Sequence, residues 1–479
     1  MTKDFIMYEY LNILRYSDLL KRIASTDKWA SLIDELIRYS NYTLLQLFKQ
    51  RVRDYNDKTL FNLIHNNNIS TLNWTEVDEK VSSYSDALFS ILDEYKNIEV
   101  HVAFLLENSI EMALLDLACL TGGIVNVMIP ANSVPQHLSL ILNETKVPVL
   151  ILSDEKQLSK IKDIKNDLTH LKSVIICQSN SAESWVISFK DFFESTSDSG
   201  KKLKEEYQSK ILSESLATIM YTSGTTGEPK GIMFNHLSIV YKRFCRALAL
   251  PEIGENDRFL SYLPLYHTFG RYLELTGAVF WAAQYSFMED PSPHTMISNM
   301  KIIKPTIFIS IPKKWLQLYE QLSMRVDLEY DDEASIKSEV ESLTGGCLKW
   351  GLSAAGFLPS DVFTFFQKNG IELMSGFGMT EATGGITMTP PGRYRTNSLG
   401  SALPGIKIKV ADDGELLIQG SYVMMGYYHQ SDDEVFTDGW YPTGDIMRSD
   451  SDGYIEIIDR KKEIYKNVKG ETVAPQKIE

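Results

Sequence analysis

The stretch YTSGTTGEPKG at 221–231 puts three glycines, four small hydroxyls and one lysine into eleven residues, directly after the apolar run 216–220. Backbone N–H groups freed at Gly224 and Gly227 can wrap phosphate oxygens together with the hydroxyls of Thr222, Ser223, Thr225 and Thr226. Lys230 adds a positive charge to the same loop. The P-loop pattern GxxxxGK[ST] is not met, because Lys230 follows Pro229 and precedes Gly231. The residues therefore point to phosphate held between a strand, a donor-rich loop and a second strand at 232–234.

Further stretches carry chemistry downstream. LPLYHTFGR (263–271) holds His267, GLSAAGFLP (351–359) holds Ala355 and Gly356, and SGFGMTEATGG (375–385) holds a lone Glu381. DGWYPTGDI (438–446) holds Asp445, and GYIEIIDRKKEIYKNVKGETVAPQKIE (453–479) holds Asp459 and Arg460. Taken singly, each has a plain explanation: a core histidine, a helix-start glutamate, a TGD turn. In this order and at these spacings, with the 221–231 loop at their head, they resemble the adenylate-forming superfamily of acyl-CoA synthetases, peptide-synthetase adenylation domains and luciferases. The resemblance runs from about residue 43 to the end of the chain.

That resemblance implies a reaction and a set of roles. A carboxylate attacks the α-phosphorus of ATP, pyrophosphate leaves, and the resulting acyl-adenylate passes its acyl group to a thiol. The loop 222–231 would hold the β- and γ-phosphates with Lys230, and Thr380 would touch a phosphate. Glu381 would ligate Mg²⁺, as a hard cation bridging phosphates needs only one or two carboxylates. Gly376, Phe377 and Gly378, with Ala355 and Gly356, would form the adenine site, Phe377 standing where the family usually has tyrosine. Asp445 would accept hydrogen bonds from the ribose hydroxyls, with Arg460 nearby. His267 would orient the carboxylate or line the acyl entrance, and Asp459 would be the hinge. His236 and His294 are read as structural.

The 438–479 stretch, and IPKKWLQLYEQL at 311–322, resemble the long-chain fatty acyl-CoA synthetases most closely. Phe269, Ala354, Ala355, Met374 and Met388 would suit an alkyl tunnel. The expected substrates are ATP with Mg²⁺, a fatty acid and CoA. An acyl carrier protein is the alternative acceptor, and a non-catalytic nucleotide-binding regulator is the alternative of another class. In the family a small lid follows the hinge, so the chain ending at Glu479 is expected to lack most of it.

The elements that must position these residues alternate between apolar strands, such as 100–106, 147–152, 173–177 and 306–311, and helices such as 112–120 and 135–143. This is an α/β body with largely parallel sheets. After residue 400, short strands at 406–410, 415–419 and 454–458 mark a smaller β subdomain. The expected division is a helical extension over 1–40, an adenylate-forming body over 41–458, and a hinge with the start of a truncated lid over 459–479. Within 1–40, Trp29, Leu32, Ile33, Leu36 and Ile37 share a helix face, read as docking on the same chain, with membrane-surface or partner contact as the alternative.

A formal charge of −15 argues against a nucleic-acid partner or an anionic membrane surface. The four cysteines are far apart and beside apolar residues, so buried free thiols, a reducing compartment and a cytoplasmic location are expected. The apolar stretch 112–130 is broken by Asp116, Gly122 and Gly123, and reads as a buried helix and strand instead of a membrane span.

Overall fold

Alternation along single strands divides the protein into layers. In the strand Val102–Leu105, Val102 and Phe104 join one apolar cluster, while Ala103 and Leu105 join another. In the second large sheet Ile307 and Ile309 face the first of these clusters, while Phe308 faces a third. A side-chain period of two, with both faces covered, produces this split. The central cluster therefore lies between two sheets, and each sheet carries a further helical layer outside.

The computed structural model describes residues 3–95, 99, 101–179, 183–223, 228–328, 330–461, 465–466 and 472–473. The first sheet has eight strands, in the spatial order Gly426–Tyr427, Pro229–Asn235, Leu216–Ser223, Asn126–Met128, Val102–Leu105, Val149–Leu152, Ser173–Ile176 and Val186–Ser188. It is parallel from Leu216–Ser223 outward and antiparallel at its other edge. The second sheet has nine strands, with a parallel centre running from Glu372–Met379 through Trp350–Ala354, Ile307–Ser310, Arg258–Ser261 and Gln284–Phe287 to Thr59–His65. A four-stranded antiparallel sheet, Lys407–Val410, Glu415–Gln419, Tyr441–Ser449 and Ile455–Arg460, forms the small β region.

Helices of the central layer are buried nearly all round, and their sequences show it. Helix Ile110–Gly122 starts on the Ser109 cap, ends at Gly123 with φ +79°, and is buried from Met112 to Gly122. Among the described residues no helix is long and apolar enough to cross a membrane. Helix His236–Ala249, capped by Asn235, is buried from His236 to Leu248 despite carrying Lys242, Arg243 and Arg246. The amphipathic helix Thr26–Ser40 packs against it. Its inward stripe is Ala30, Ile33 and Ile37, whereas Leu32 is 42% exposed, so the buried face is rotated from the expected one. Cys119 and Cys245 are buried free thiols, but Cys177 and Cys347 are only partly covered.

The layers are joined by one buried ionic cluster. Arg271 donates from Nε and Nη2 to the two oxygens of Asp116 at 2.8 and 2.6 Å, from Nη1 to Thr218 at 2.9 Å, and from Nη2 to Asn126 at 3.2 Å. Asp116, which breaks the apolar run in sequence, thus compensates an arginine delivered from the π-helical turn Phe269–Leu275. Breaking such a pair strands a buried charge and costs about 3–5 kcal/mol. Asp116→Ala should lose that much in urea unfolding, and Asp116→Ala with Arg271→Met should be more stable than Asp116→Ala alone.

His101 and His236 are buried, and desolvation lowers each imidazole to about 4 from an ordinary 6.5. Between those values the unfolded chain binds the protons and the folded chain does not. Stability is therefore complete above 6.5 and falls as the pH drops toward 4, by about 1.4 kcal/mol per unit for each residue. His236→Gln should lose about 2 kcal/mol less than the parent between pH 6.5 and 5, measured by denaturant unfolding at both pH values.

Candidate active site

The motifs leave from the C-terminal ends of parallel strands, where open α/β sheets present their ligand crevice. Leu216–Ser223 leads into the loop, Trp350–Ala354 into Ala355 and Gly356, and Glu372–Met379 into Thr380 and Glu381. Gly224, Thr225, Thr226 and Gly227 lie outside the described residues, as does the side chain of Ser223. Thr222 is half-buried and pairs across the ladder with Lys230. The second strand begins at Pro229, so Lys230 sits on a strand and not in the loop. Tyr221 anchors the strand end by donating to Glu144 Oε2 at 2.6 Å. Its ring leaves room only for a glycine at Gly231, where a Cβ would come within 2.8 Å of Tyr221 Cζ.

Lys230, on the first sheet, and Glu381, in the turn Thr380–Ala382 after a strand of the second, are joined through a tyrosine. The edge strand Gly426–Tyr427 adds to Pro229–Asn235 and sets the Tyr427 ring 4.8 Å from Lys230 Nζ. The Tyr427 hydroxyl donates to Glu381 Oε1 at 2.8 Å and lies 2.9 Å from the Tyr441 hydroxyl. Burial first, and the Glu381 charge second, push both phenols far above their ordinary pKa, so they act as neutral donors. The Glu381 carbonyl also accepts from Met424 N at 2.7 Å. Glu381 follows a strand that runs through Phe377 to Met379, not a Gly-rich turn. Gly378 permits the hairpin there, since a Cβ would meet Gly384 O at 2.1 Å. Two residues on, Thr383 takes a left-handed φ of +51°, strained for a β-branched residue, and buries its hydroxyl against Tyr422 O at 3.2 Å.

Asp445 is buried on the strand Tyr441–Ser449 and registers opposite Arg460, whose Nε lies 2.8 Å from Asp445 Oδ1. Lys461 bonds Asp413 and Glu415 at 2.7 and 2.6 Å. Both basic residues are thus fixed by acidic partners. Asp459 is fully buried inside the strand Ile455–Arg460, paired with Ile446, so the expected pivot lies within a ladder and not in a loop. Ala355, with φ +65°, and Gly356 form an exposed lip beside Phe357. Thr380 and Phe377 are half-buried at the mouth of the same crevice.

His267 is solvent-exposed, yet it sits in a cleft crowded enough that desolvation lowers its pKa. It faces the Phe269 ring edge-on at 5.7 Å. The neighbouring Thr268 and Leu273 abut Gly384, which brings the histidine motif against the strand that follows Glu381. Behind Phe269 lies a void of about 10 Å³ walled by Ala354, Gly376, Phe377, Gly378 and Met388. A second void of about 10 Å³, reaching Met374 and Trp281, lies deeper. Ala355 lines neither void. His236 is buried and His294 exposed on its helix, as structural histidines.

Sequence reasoning missed Tyr427, Tyr441 and Thr383. Tyr441 stood inside a quoted motif, within WYPTGD. Tyr427 carried no periodic or compositional signal, because its role arises only when its two-residue strand docks beside Lys230. Among the described residues no group of three or more His, Cys, Asp or Glu could hold a metal ion, so a cation at Glu381 would take most of its ligands from elsewhere. One carboxylate fits a cation whose other ligands are phosphate and water.

The AMP-binding enzyme profile matches residues 48–428. The chain is 28% identical over 408 residues to the long-chain-fatty-acid–CoA ligase ACSBG1 of Rattus norvegicus, covering 75% of this chain and 56% of that protein. It is 25% identical over 409 residues to the long-chain-fatty-acid–CoA ligase FadD15 of Mycobacterium bovis, covering 77% of this chain and 66% of that protein. The chain thus spans less than two thirds of the length of these relatives. In fold it is similar to the anthranilate CoA ligase AuaEII in complex with anthranoyl-AMP, with TM-score 0.76, 21% identity, 91% of this chain and 81% of that chain covered. It is also similar to the o-succinylbenzoate CoA synthetase of Bacillus subtilis in complex with ATP and magnesium, with TM-score 0.70, 19% identity, and 90% and 83% covered. With the profile spanning most of its length, the chain belongs to the AMP-binding enzyme family.

Proposed function

We propose that this chain activates a fatty acid carboxylate with ATP to give acyl-AMP and pyrophosphate, and then transfers the acyl group to CoA. The observation that carries the reading is the Lys230–Tyr427–Glu381 arrangement beside the 221–231 loop, which gathers a cation, a carboxylate and a neutral donor at one crevice. The names of the similar curated proteins support long-chain acids as the substrate class.

A carboxylate oxygen forms a bond to the α-phosphorus, the bond to the bridging oxygen of the β-phosphate breaks, and that oxygen leaves with pyrophosphate. Lys230 and the loop amides would steady the charge that develops on the leaving group. Mg²⁺, held by Glu381 together with phosphate oxygens, would supply further neutralisation of that charge. Tyr427 fixes the rotamer of Glu381 and keeps Lys230 over its ring, so both charges are positioned before substrate arrives. Asp445 would accept from ribose, and its pairing with Arg460 holds the buried carboxylate in place for that task. Phe377 would lie against adenine, with Ala355 and Gly356 bordering the base and Thr380 at a phosphate. His267 would orient the incoming carboxylate. In the second step the CoA sulfur bonds to the acyl carbon as the acyl–phosphate bond breaks and AMP leaves. The division at residues 40 and 458, with Asp459 as the hinge, belongs to the same proposal.

Glu381→Ala should lower pyrophosphate release about a hundredfold, the usual effect of losing one preorganised electrostatic contact. Tyr427→Phe keeps the ring over Lys230 but removes the donor, and should cost about tenfold with an unchanged melting temperature. Undiminished magnesium-dependent activity in Glu381→Ala would refute the metal role. A panel of acids from acetate upward, read by pyrophosphate, should show gains of up to about 0.8 kcal/mol per added CH₂ until the channel is filled. A profile peaking at acetate or propionate would refute the fatty-acid assignment.

A further inference from the structure

Helix His236–Ala249 lies in the apolar central layer, yet it buries Lys242, Arg243 and Arg246 on consecutive turns. No carboxylate stands among the groups whose charge reaches any of the three, and they mutually repel. Two have backbone acceptors. Lys242 donates to Gly385 O and lies 3.6 Å from the centre of the Tyr422 ring. Arg243 donates from Nη1 to Tyr272 O.

Arg246 is different. It is 4% exposed, and its Nε has no hydrogen-bond partner; Arg243 leaves Nε and Nη2 unpartnered too, but its Nη1 reaches a carbonyl. Arg246 lines both voids behind the crevice, which also share Leu273 and Leu352. One void abuts Phe377 and Gly378 at the reacting end, while the other runs to Leu250, Ile253 and Trp281. Gly385 lies against the guanidinium's flank, where a Cβ would make ordinary contact at 3.7 Å from Nη1. A purely apolar acyl chain threading this path would leave a buried guanidinium without an acceptor, which is costly. A carboxylate matches its fork geometry and its charge.

Resting on the acid-activation reading above, we infer that Arg246 determines acyl specificity and that the acid this chain activates carries a second carboxylate, which pairs with Arg246. The reacting carboxylate meets ATP at the mouth, and the second one seats where the two voids meet. The side chains along the path shift to admit the chain, because each void alone holds about one water, roughly 10 Å³.

The test is magnesium- and ATP-dependent pyrophosphate release by the full chain on two acid series matched in carbon number, monocarboxylic and α,ω-dicarboxylic. The parent should favour the dicarboxylic series by at least about tenfold in kcat/KM at the best length. Arg246→Met should erase or invert that ratio, and Arg246→Lys should keep part of it. Equal or better use of monocarboxylic acids by the parent overturns the inference while leaving acid activation intact. An unchanged ratio in Arg246→Met overturns it too. If Arg246→Met does not fold, the parent ratio and Arg246→Lys decide. Absence of pyrophosphate release with both series would overturn the activation reading and this inference together.

Discussion

The buried pair between Arg271 and Asp116 is the constraint on which the remaining geometry depends. Asp116 belongs to a helix between the sheets, Thr218 to the strand that leads into the 221–231 loop, and Arg271 to the turn Phe269–Leu275 that follows His267. One guanidinium therefore ties the phosphate strand to the histidine segment at fixed spacing. Two charges withdrawn from water cost several kcal/mol each, and the five hydrogen-bonding groups of arginine must find acceptors to offset that. Asp116, Thr218 and Asn126 supply them. Arg246, one layer away, is the contrasting case, with no such set of acceptors.

A second constraint follows at the crevice. Lys230 and Glu381 come from separate sheets and cannot be held by one ladder. Tyr427, carried on a two-residue edge strand from the region after residue 400, spans them. The small β region thus contributes directly to the floor of the crevice through Tyr441 and Asp445, beside Tyr427 on the edge of the first sheet. Shifting that region by a few tenths of an ångström would weaken a hydrogen bond of 2.8 Å and a cation–π contact together.

Much of this was legible in the residues. Strand periodicity placed 147–152 and 306–311 within two residues of the observed Val149–Leu152 and Ile307–Ser310, because buried parallel strands read as continuous apolar runs. The break at Asp116 was visible, but its partner, 155 positions away, was not. Lys230 was read as part of the loop but lies on the strand Pro229–Asn235, since a glycine beside a strand looks the same in sequence as a glycine that makes a turn. Tyr427 could not be found from spacing, because its partners lie on other elements. The rotated face of Thr26–Ser40 was lost for a similar reason: several apolar residues fit a stripe, and only the surface they meet selects which three are buried.

The central claim is attack by a carboxylate on the α-phosphorus of ATP at the crevice of Lys230, Tyr427 and Glu381. Its most direct measurement follows an isotopic oxygen label from the fatty acid carboxylate into the products. The account predicts one labelled oxygen in AMP, with unlabelled pyrophosphate released alongside. Label absent from AMP, or ATP converted to ADP and phosphate, would contradict it.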